Sequence, residues 1–170
     1  VRDADLVIEA VFEDMNLKKK VFKELDELCP PHTLLASNTS TLSITEMASA
    51  TKRPDKVVGL HFFNPPYTMK LVEVISGKQT SEETRKIAND FAIFLEKDTV
   101  LVKDIPGFIV NRILGAALGE AIYLLEEGVA SAKDIDKAVV LGLNWPMGPI
   151  ALADFVGLDV VYHSGKTIGD

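Results

Sequence analysis

The sequence predicts an α/β fold: a mixed sheet layered by helices over residues 1–104, followed by an all-α region over residues 105–170. Three observations carry this. Short apolar runs alternate with amphipathic runs through the first 104 residues, the pattern of strands separated by helices. Two of the apolar runs, Val57–Phe63 and Lys70–Ile75, lie only about six residues apart. That is too short for a crossover helix, so they are expected to pair antiparallel. Beyond Asp104-Ile-Pro-Gly107 only helical periodicity remains.

Each element has its own signal. Leu6–Val11 reads as a buried strand. A helix follows from about Asn16, with Leu17, Val21, Leu25 and Leu28 on one face, and Cys29-Pro30-Pro31 ends it. Thr33–Ala36 is the second strand. Ser43-Ile-Thr-Glu46 has the form of a capping box and opens a short helix to about Ala50. After the Val57–Phe63 and Lys70–Ile75 strands, Thr80-Ser-Glu-Glu83 is a second such box, opening a helix with Ile87, Phe91, Phe94 and Leu95 inward. Thr99–Val102 is the fifth strand. A long helix spans Phe108–Glu127 and stops at Gly128; another starts at Ser131 and ends near Gly142; Pro149 suits the first turn of the last helix. The Lys18-Lys19-Lys20 run reads as a solvated helix face.

Composition bounds the function. Of 170 residues, 47% are apolar and 25% charged, ordinary globular proportions that exclude a disordered chain. Lys and Arg number 18 against 25 Asp and Glu, a net charge of −7. This argues against a nucleic-acid or anionic-membrane partner. Cys29 is the only cysteine, so no disulfide forms within the chain and a reducing, cytoplasmic setting is expected. Val1-Arg2-Asp3-Ala4-Asp5 does not resemble a signal peptide, and the apolar stretch Gly107–Leu125 is interrupted by Asn111, Arg112 and Glu120. There is no initiator Met and the first strand arrives after five residues, so the chain is expected to begin in mid-fold. The open edge of that strand would invite self-association.

The candidate chemistry centres on His61. It lies near the carboxyl end of a strand, where open α/β sheets place ligands. If its strand pairs with the next about a turn centred near Tyr67, Glu73 stands opposite His61. A carboxylate there would fix the tautomer a general base needs. A satisfied pair that merely closes a hairpin fits the pattern as well. His32 and His163 read as structural. Ser37-Asn-Thr-Ser-Thr41 reads first as N-capping, though its hydroxyls also lie where a crevice is expected. Asn111 is polar in an apolar helix and needs partners, either in a neighbouring loop or on a substrate. Glu13 with Lys18 reads as a surface ion pair or as a ligand contact. No G-x-G-x-x-G, no G-x-x-x-x-G-K-[ST], no G-x-S-x-G and no Cys/His metal set occurs, so no metal is expected.

Six segments in register then resemble one family: Glu9-Ala-Val-Phe-Glu13 with Lys18, Ser37-Asn-Thr-Ser40, Gly59-Leu-His-Phe-Phe-Asn-Pro65, Met69-Lys-Leu-Val-Glu-Val-Ile75, Pro106-Gly-Phe-Ile-Val-Asn-Arg112 and Pro146-Met-Gly-Pro149. Together they are similar to the L-3-hydroxyacyl-CoA dehydrogenases. The resemblance implies the second half of a Rossmann-like NAD-binding domain over 1–104 and a partial helical substrate and dimerisation domain over 105–170. It implies NAD-dependent oxidation of a 3-hydroxyacyl-CoA to the 3-ketoacyl-CoA, or the reverse, in fatty acid β-oxidation or butanoate-type metabolism. His61 matches the catalytic base and Glu73 its partner carboxylate. Ser40 and Asn111 match substrate-binding residues. Val11, Phe12, Glu13, Lys18, Ser40 and Asn64 match positions at the nicotinamide half of NAD. An acyl-CoA substrate and a homodimer or higher assembly are the implied partners.

The family's N-terminal Gly-rich βαβ unit is not in these residues and the helical domain ends early, at Asp170. These 170 residues alone are therefore expected to bind NAD poorly and turn over slowly or not at all. Two alternatives share the scaffold: a sugar-acid-oxidising or non-catalytic relative, and the dehydrogenase part of a multifunctional β-oxidation enzyme.

Overall fold

The computed structural model describes residues 1–169, with the side chains of 163, 164 and 166–169 outside the description. His163, expected to be structural, therefore lies outside the described side chains. The element order is β1 (Leu6–Glu9), α1 (Met15–Leu28), β2 (Leu34–Ser37), α2 (Ile44–Ala48), a 3-10 turn (Pro54–Lys56), β3 (Val57–Phe62), β4 (Leu71–Ser76), α3 (Glu82–Phe94), β5 (Asp98–Lys103), α4 (Val110–Glu126), α5 (Ala132–Leu143), α6 (Pro149–Val156) and α7 (Leu158–Gly169). Contacts divide the chain into two units, Val1–Phe108 and Ile109–Asp170.

In the first unit the five strands form one sheet in the order β1-β2-β3-β4-β5. The pairs β1–β2, β2–β3 and β4–β5 are parallel, and β3–β4 is antiparallel as the short link requires. The register sets Gly59 against Ile75, Leu60 against Val74 and His61 against Glu73. Gly59 is required there: a Cβ would stand 2.8 Å from the Ile75 Cβ. Two apolar layers enclose the sheet. One groups Phe22, Cys29, Leu35, Ile44, Met47, Val57, Ile75, Val102 and Phe108. The other groups Ala36, Val58, Leu60, Val72, Val74, Ala88 and Ala92.

The helix faces differ from expectation. α1 buries Lys18 and Phe22, with Met15 and Leu25 beside them, while Leu17 and Leu28 are exposed. The seam is rotated by about one residue, because Lys18 meets a buried carboxylate and so can face inward. The Lys18-Lys19-Lys20 run is therefore not a solvated face throughout. α3 buries Thr84, Ala88 and Ala92 and packs Phe91 against the core as expected, while Ile87, Phe94 and Leu95 are exposed. Small residues at i, i+4 and i+8 bring this helix close to the sheet, and the bulkier residues flank the contact. Its N-cap is Ser81, whose side chain accepts from the Thr84 N–H. Thr80 instead bridges strands, donating to the Val57 carbonyl at 2.6 Å and accepting from the Gly77 N–H at 2.9 Å.

The α2 N-terminus is held twice. Ser43 accepts from the Glu46 N–H at 3.2 Å. Asp104, just past β5, accepts from the Ile44 N–H at 3.0 Å, the Thr45 N–H at 2.7 Å and the Ser43 hydroxyl at 2.8 Å. This carboxylate ties the last strand to a five-residue helix otherwise too short to persist. Asp104→Ala is expected to lower the unfolding free energy by about 2 kcal/mol, the cost of several part-buried donors losing a charged acceptor. Urea unfolding measures it, and a loss under about 0.5 kcal/mol would refute the role.

In the second unit α4 to α7 pack against one another. Ser131 caps α5, and Gly128 takes φ +68 where α4 stops. Asp136 accepts from the Ile150 and Ala151 N–H groups at 2.8 and 3.1 Å, which anchors the start of α6 at Pro149. Pro149 does not open the last helix: Gly157, with φ +103, divides the segment and α7 follows. Among the described residues no helix is long and apolar enough to cross a membrane.

Candidate active site

Adjacent positions on β3 and β4 bring two titratable side chains together in the first unit. His61 Nδ1 lies 2.7 Å from Glu73 Oε2. His61 is 3% exposed and Glu73 is fully buried. A carboxylate only accepts, so Nδ1 carries the proton, and in the neutral ring the lone pair falls to Nε2. Phe63 and Phe108 stand beside the imidazole, with ring centroids at 4.5 and 5.7 Å.

The carboxyl ends of β1 and β2 form a second polar cluster. Glu9, the last residue of β1, receives Lys18 Nζ on both oxygens, at 3.0 and 3.1 Å, and the Val11 N–H at 3.1 Å. The Ser37 hydroxyl donates to the same carboxylate. Lys18 also donates to the Val11 carbonyl at 3.2 Å and lies 3.4 Å from Glu13 Oε2. It is 1% exposed, so the Glu13–Lys18 pair is no surface ion pair; the principal partner of the lysine is Glu9.

Glu13 organises the polar segment after β2. Its Oε1 accepts from the Thr39 hydroxyl at 2.5 Å, the Ser40 N–H at 2.9 Å and the Thr41 N–H at 3.1 Å. Thr39 Oγ1 in turn accepts from the Leu42 N–H at 3.0 Å. Ser37–Thr41 is therefore not an N-cap. Ser43 holds that place in α2, and the hydroxyls build the loop that precedes it. The Asn38 side-chain carbonyl accepts from the Phe62 N–H at 2.9 Å, fastening this loop to the end of β3 beside His61.

Burial pushes the Glu13 carboxyl up. The Thr39 hydroxyl, the Ser40 N–H, the Lys18 ammonium and the Thr41 N–H outweigh it and hold the group below its ordinary value of 4.5. A depressed carboxyl stabilises the fold above its unfolded-state value, and that contribution is lost as pH falls through the folded-state value. Glu13→Gln is thus expected to unfold at lower urea than the parent at neutral pH. The gap should narrow steadily as pH is lowered past about 4. A gap that persists undiminished in strong acid would contradict the assignment.

β1 ends at Glu9, so Val11 and Phe12 lie in the loop beyond it, Val11 part-exposed and Phe12 87% exposed. Asn64 is exposed just past β3 and precedes Pro65. Ser40 is half-buried. Asn111 belongs to the second unit, half-buried in the first turn of α4. His32 is exposed, with Nε2 3.2 Å from Asp5. Among the described residues no group of three or more His, Cys, Asp or Glu side chains could hold a metal ion.

Sequence reasoning missed Glu9 and the two phenylalanines as parts of the site. Glu9 had a readable signal: a carboxylate closing a buried apolar run, with a lysine nine residues on. Phe63 and Phe108 had none, since an aromatic in an apolar stretch reads as core.

The residues past the carboxyl end of β1 are of types that suit a dinucleotide. Glu13 offers a carboxylate whose side chain is 39% exposed, and Phe12 offers an exposed ring, both past the carboxyl end of β1. A Gly-rich turn to cradle the pyrophosphate is not among these 170 residues.

Residues 1–105 match the family model of the 3-hydroxyacyl-CoA dehydrogenase NAD binding domain, and residues 107–170 that of the 3-hydroxyacyl-CoA dehydrogenase C-terminal domain. A 3-hydroxybutyryl-CoA dehydrogenase of Clostridioides difficile is 58% identical over 161 residues, which cover 95% of this chain and 57% of that protein. The mitochondrial hydroxyacyl-coenzyme A dehydrogenase of Homo sapiens is 53% identical over 159 residues, 94% of this chain and 51% of that protein. The crystal structure of (S)-3-hydroxybutyryl-CoA dehydrogenase from Ralstonia eutropha superposes with a TM-score of 0.94 at 45% identity, covering 96% of this chain and 58% of that one. The chain spans between half and three-fifths of the length of these relatives.

Proposed function

Since the chain belongs to the 3-hydroxyacyl-CoA dehydrogenase family, we propose that the protein it forms oxidises an L-3-hydroxyacyl-CoA to the 3-ketoacyl-CoA with NAD, or runs the reverse reduction. The observation that carries this is the His61–Glu73 pair, 2.7 Å apart and buried across two paired strands. His61 acts as general base: Nε2 takes the proton of the substrate 3-hydroxyl. Glu73 keeps the ring in the tautomer that leaves Nε2 free to do so, and stabilises the imidazolium that results. NAD, when bound, supplies the hydride acceptor for C3.

The other roles follow the resemblance. Ser40 and Asn111 bind substrate. Val11, Phe12, Glu13, Lys18, Ser40 and Asn64 form the wall for the nicotinamide half of NAD. Lys18 serves that wall from within: its charge is spent on Glu9, and it supports the loop carrying Val11 and Glu13. The acyl-CoA is the substrate partner and a second copy of the chain the expected subunit partner. The lone Cys29, buried and unpaired, fits a reducing compartment such as the cytoplasm.

The test is NADH oxidation by the full-length gene product with acetoacetyl-CoA. Steady turnover supports the reading. No turnover with any 3-ketoacyl-CoA, against turnover with a sugar acid and NAD, would replace it with the sugar-acid alternative.

A further inference from the structure

We propose that Phe63 and Phe108 are positioning residues that grip the His61 imidazole and set the line along which Nε2 meets the substrate proton. This deepens the reading above and rests on it. Glu73 fixes the imidazole at one point, Nδ1. That bond and the Cβ–Cγ link together hold one edge of the ring, and the far edge, which carries Nε2, is left to rock. The two phenyl rings remove that freedom. Their centroids lie 4.5 and 5.7 Å from the imidazole centroid, and their planes are tilted to it by 53° and 58°.

The two phenylalanines reach His61 from different parts of the unit's sequence. Phe63 is two residues past His61, just beyond the last residue of β3, so it is free of the strand's pleat. Phe108 follows β5 and Gly107. Its backbone takes φ +49, a left-handed conformation that a bulky side chain adopts only where its surroundings impose it. Those surroundings are the apolar layer that also holds Val57, Ile75 and Val102, in which Phe108 is 1% exposed. Core packing therefore determines where this ring sits. The residue holds an unfavourable backbone to lay its ring against the one histidine buried among the strands.

The experiment uses the full-length protein and compares Phe63→Leu, Phe108→Leu and Phe63→Tyr with the parent, running His61→Gln alongside. Each leucine variant is expected to lower kcat by about 10- to 100-fold, with KM for NADH and acetoacetyl-CoA within about twofold, because a misaimed base slows chemistry without weakening binding. Phe63→Tyr keeps the ring and should restore kcat to within about threefold of the parent. Thermal unfolding of each variant checks the fold, and the half-buried Phe63 carries the test if Phe108→Leu does not fold. Leucine variants with parental kcat, or with kcat and KM displaced together in step with lost stability, overturn the grip. If His61→Gln keeps full turnover, the base assignment itself fails, whatever the phenylalanines do.

Discussion

His61→Gln in the full-length protein is expected to lower kcat by roughly 10² to 10⁴, with KM for both substrates close to the parent. The range is the usual worth of a positioned general base, about 3 to 5 kcal/mol of barrier. Glutamine suits the test because it keeps a donor for Glu73. The buried carboxylate opposite it is not orphaned, and the fold should survive. What glutamine lacks is an acceptor basic enough to take the hydroxyl proton. Stopped-flow and steady-state measurement of NADH oxidation would report the loss. An unchanged turnover number would remove His61 from the mechanism and leave the pair as a strand-to-strand link only.

The second large effect is on stability. Lys18→Met should destabilise the protein by about 3 to 5 kcal/mol, the usual cost of leaving a buried charge without its partner. Lys18 is 1% exposed and the Glu9 side chain 3%. Both Glu9 oxygens accept from the ammonium, so the methionine variant leaves a buried carboxylate with the Ser37 hydroxyl and the Val11 N–H as donors and no countercharge of its own. The damage extends beyond the pair. Glu9 also receives Ser37 and the Val11 N–H, which fix the two loops at the carboxyl ends of β1 and β2. The double variant Glu9→Gln with Lys18→Met removes both charges and is expected to be more stable than Lys18→Met alone, a non-additivity that marks a coupled pair. Chemical unfolding of the four proteins in the cycle measures it. A single-variant loss below about 1 kcal/mol would falsify the buried-pair account.

The strand runs were legible because each is a short apolar block bounded by polar or turn residues, and the mixed sheet followed from one count of link length. The His61–Glu73 contact was legible for the same reason. A hairpin centred near Tyr67 has one register, and that register sets the two residues opposite. Helix faces were read less well. In α1 the periodic leucines suggested one seam and the burial of Lys18 chose another, because a pattern scores lysine as polar while a buried Glu9 makes it an interior residue. In α3 the bulky apolar residues suggested the inward face. The alanines took it with only Phe91 beside them, since close approach to the sheet is decided by the space between elements rather than by hydropathy.

By itself the sequence determined the α/β class, the antiparallel turn in an otherwise parallel sheet, the change to helices after Gly107 and the family to which the chain belongs. All of these are carried by residue types at fixed short spacings. Only the tertiary structure decided that Glu9 holds Lys18, that Glu13 gathers the backbone of Ser40 and Thr41, and that Phe108 bends into a left-handed conformation to meet His61. The physical reason is separation along the chain. His61 and Phe108 are 47 positions apart in the chain and Glu13 and Ser40 are 27 apart, so these contacts depend on which surfaces the folded strands bring together, and no local period records that.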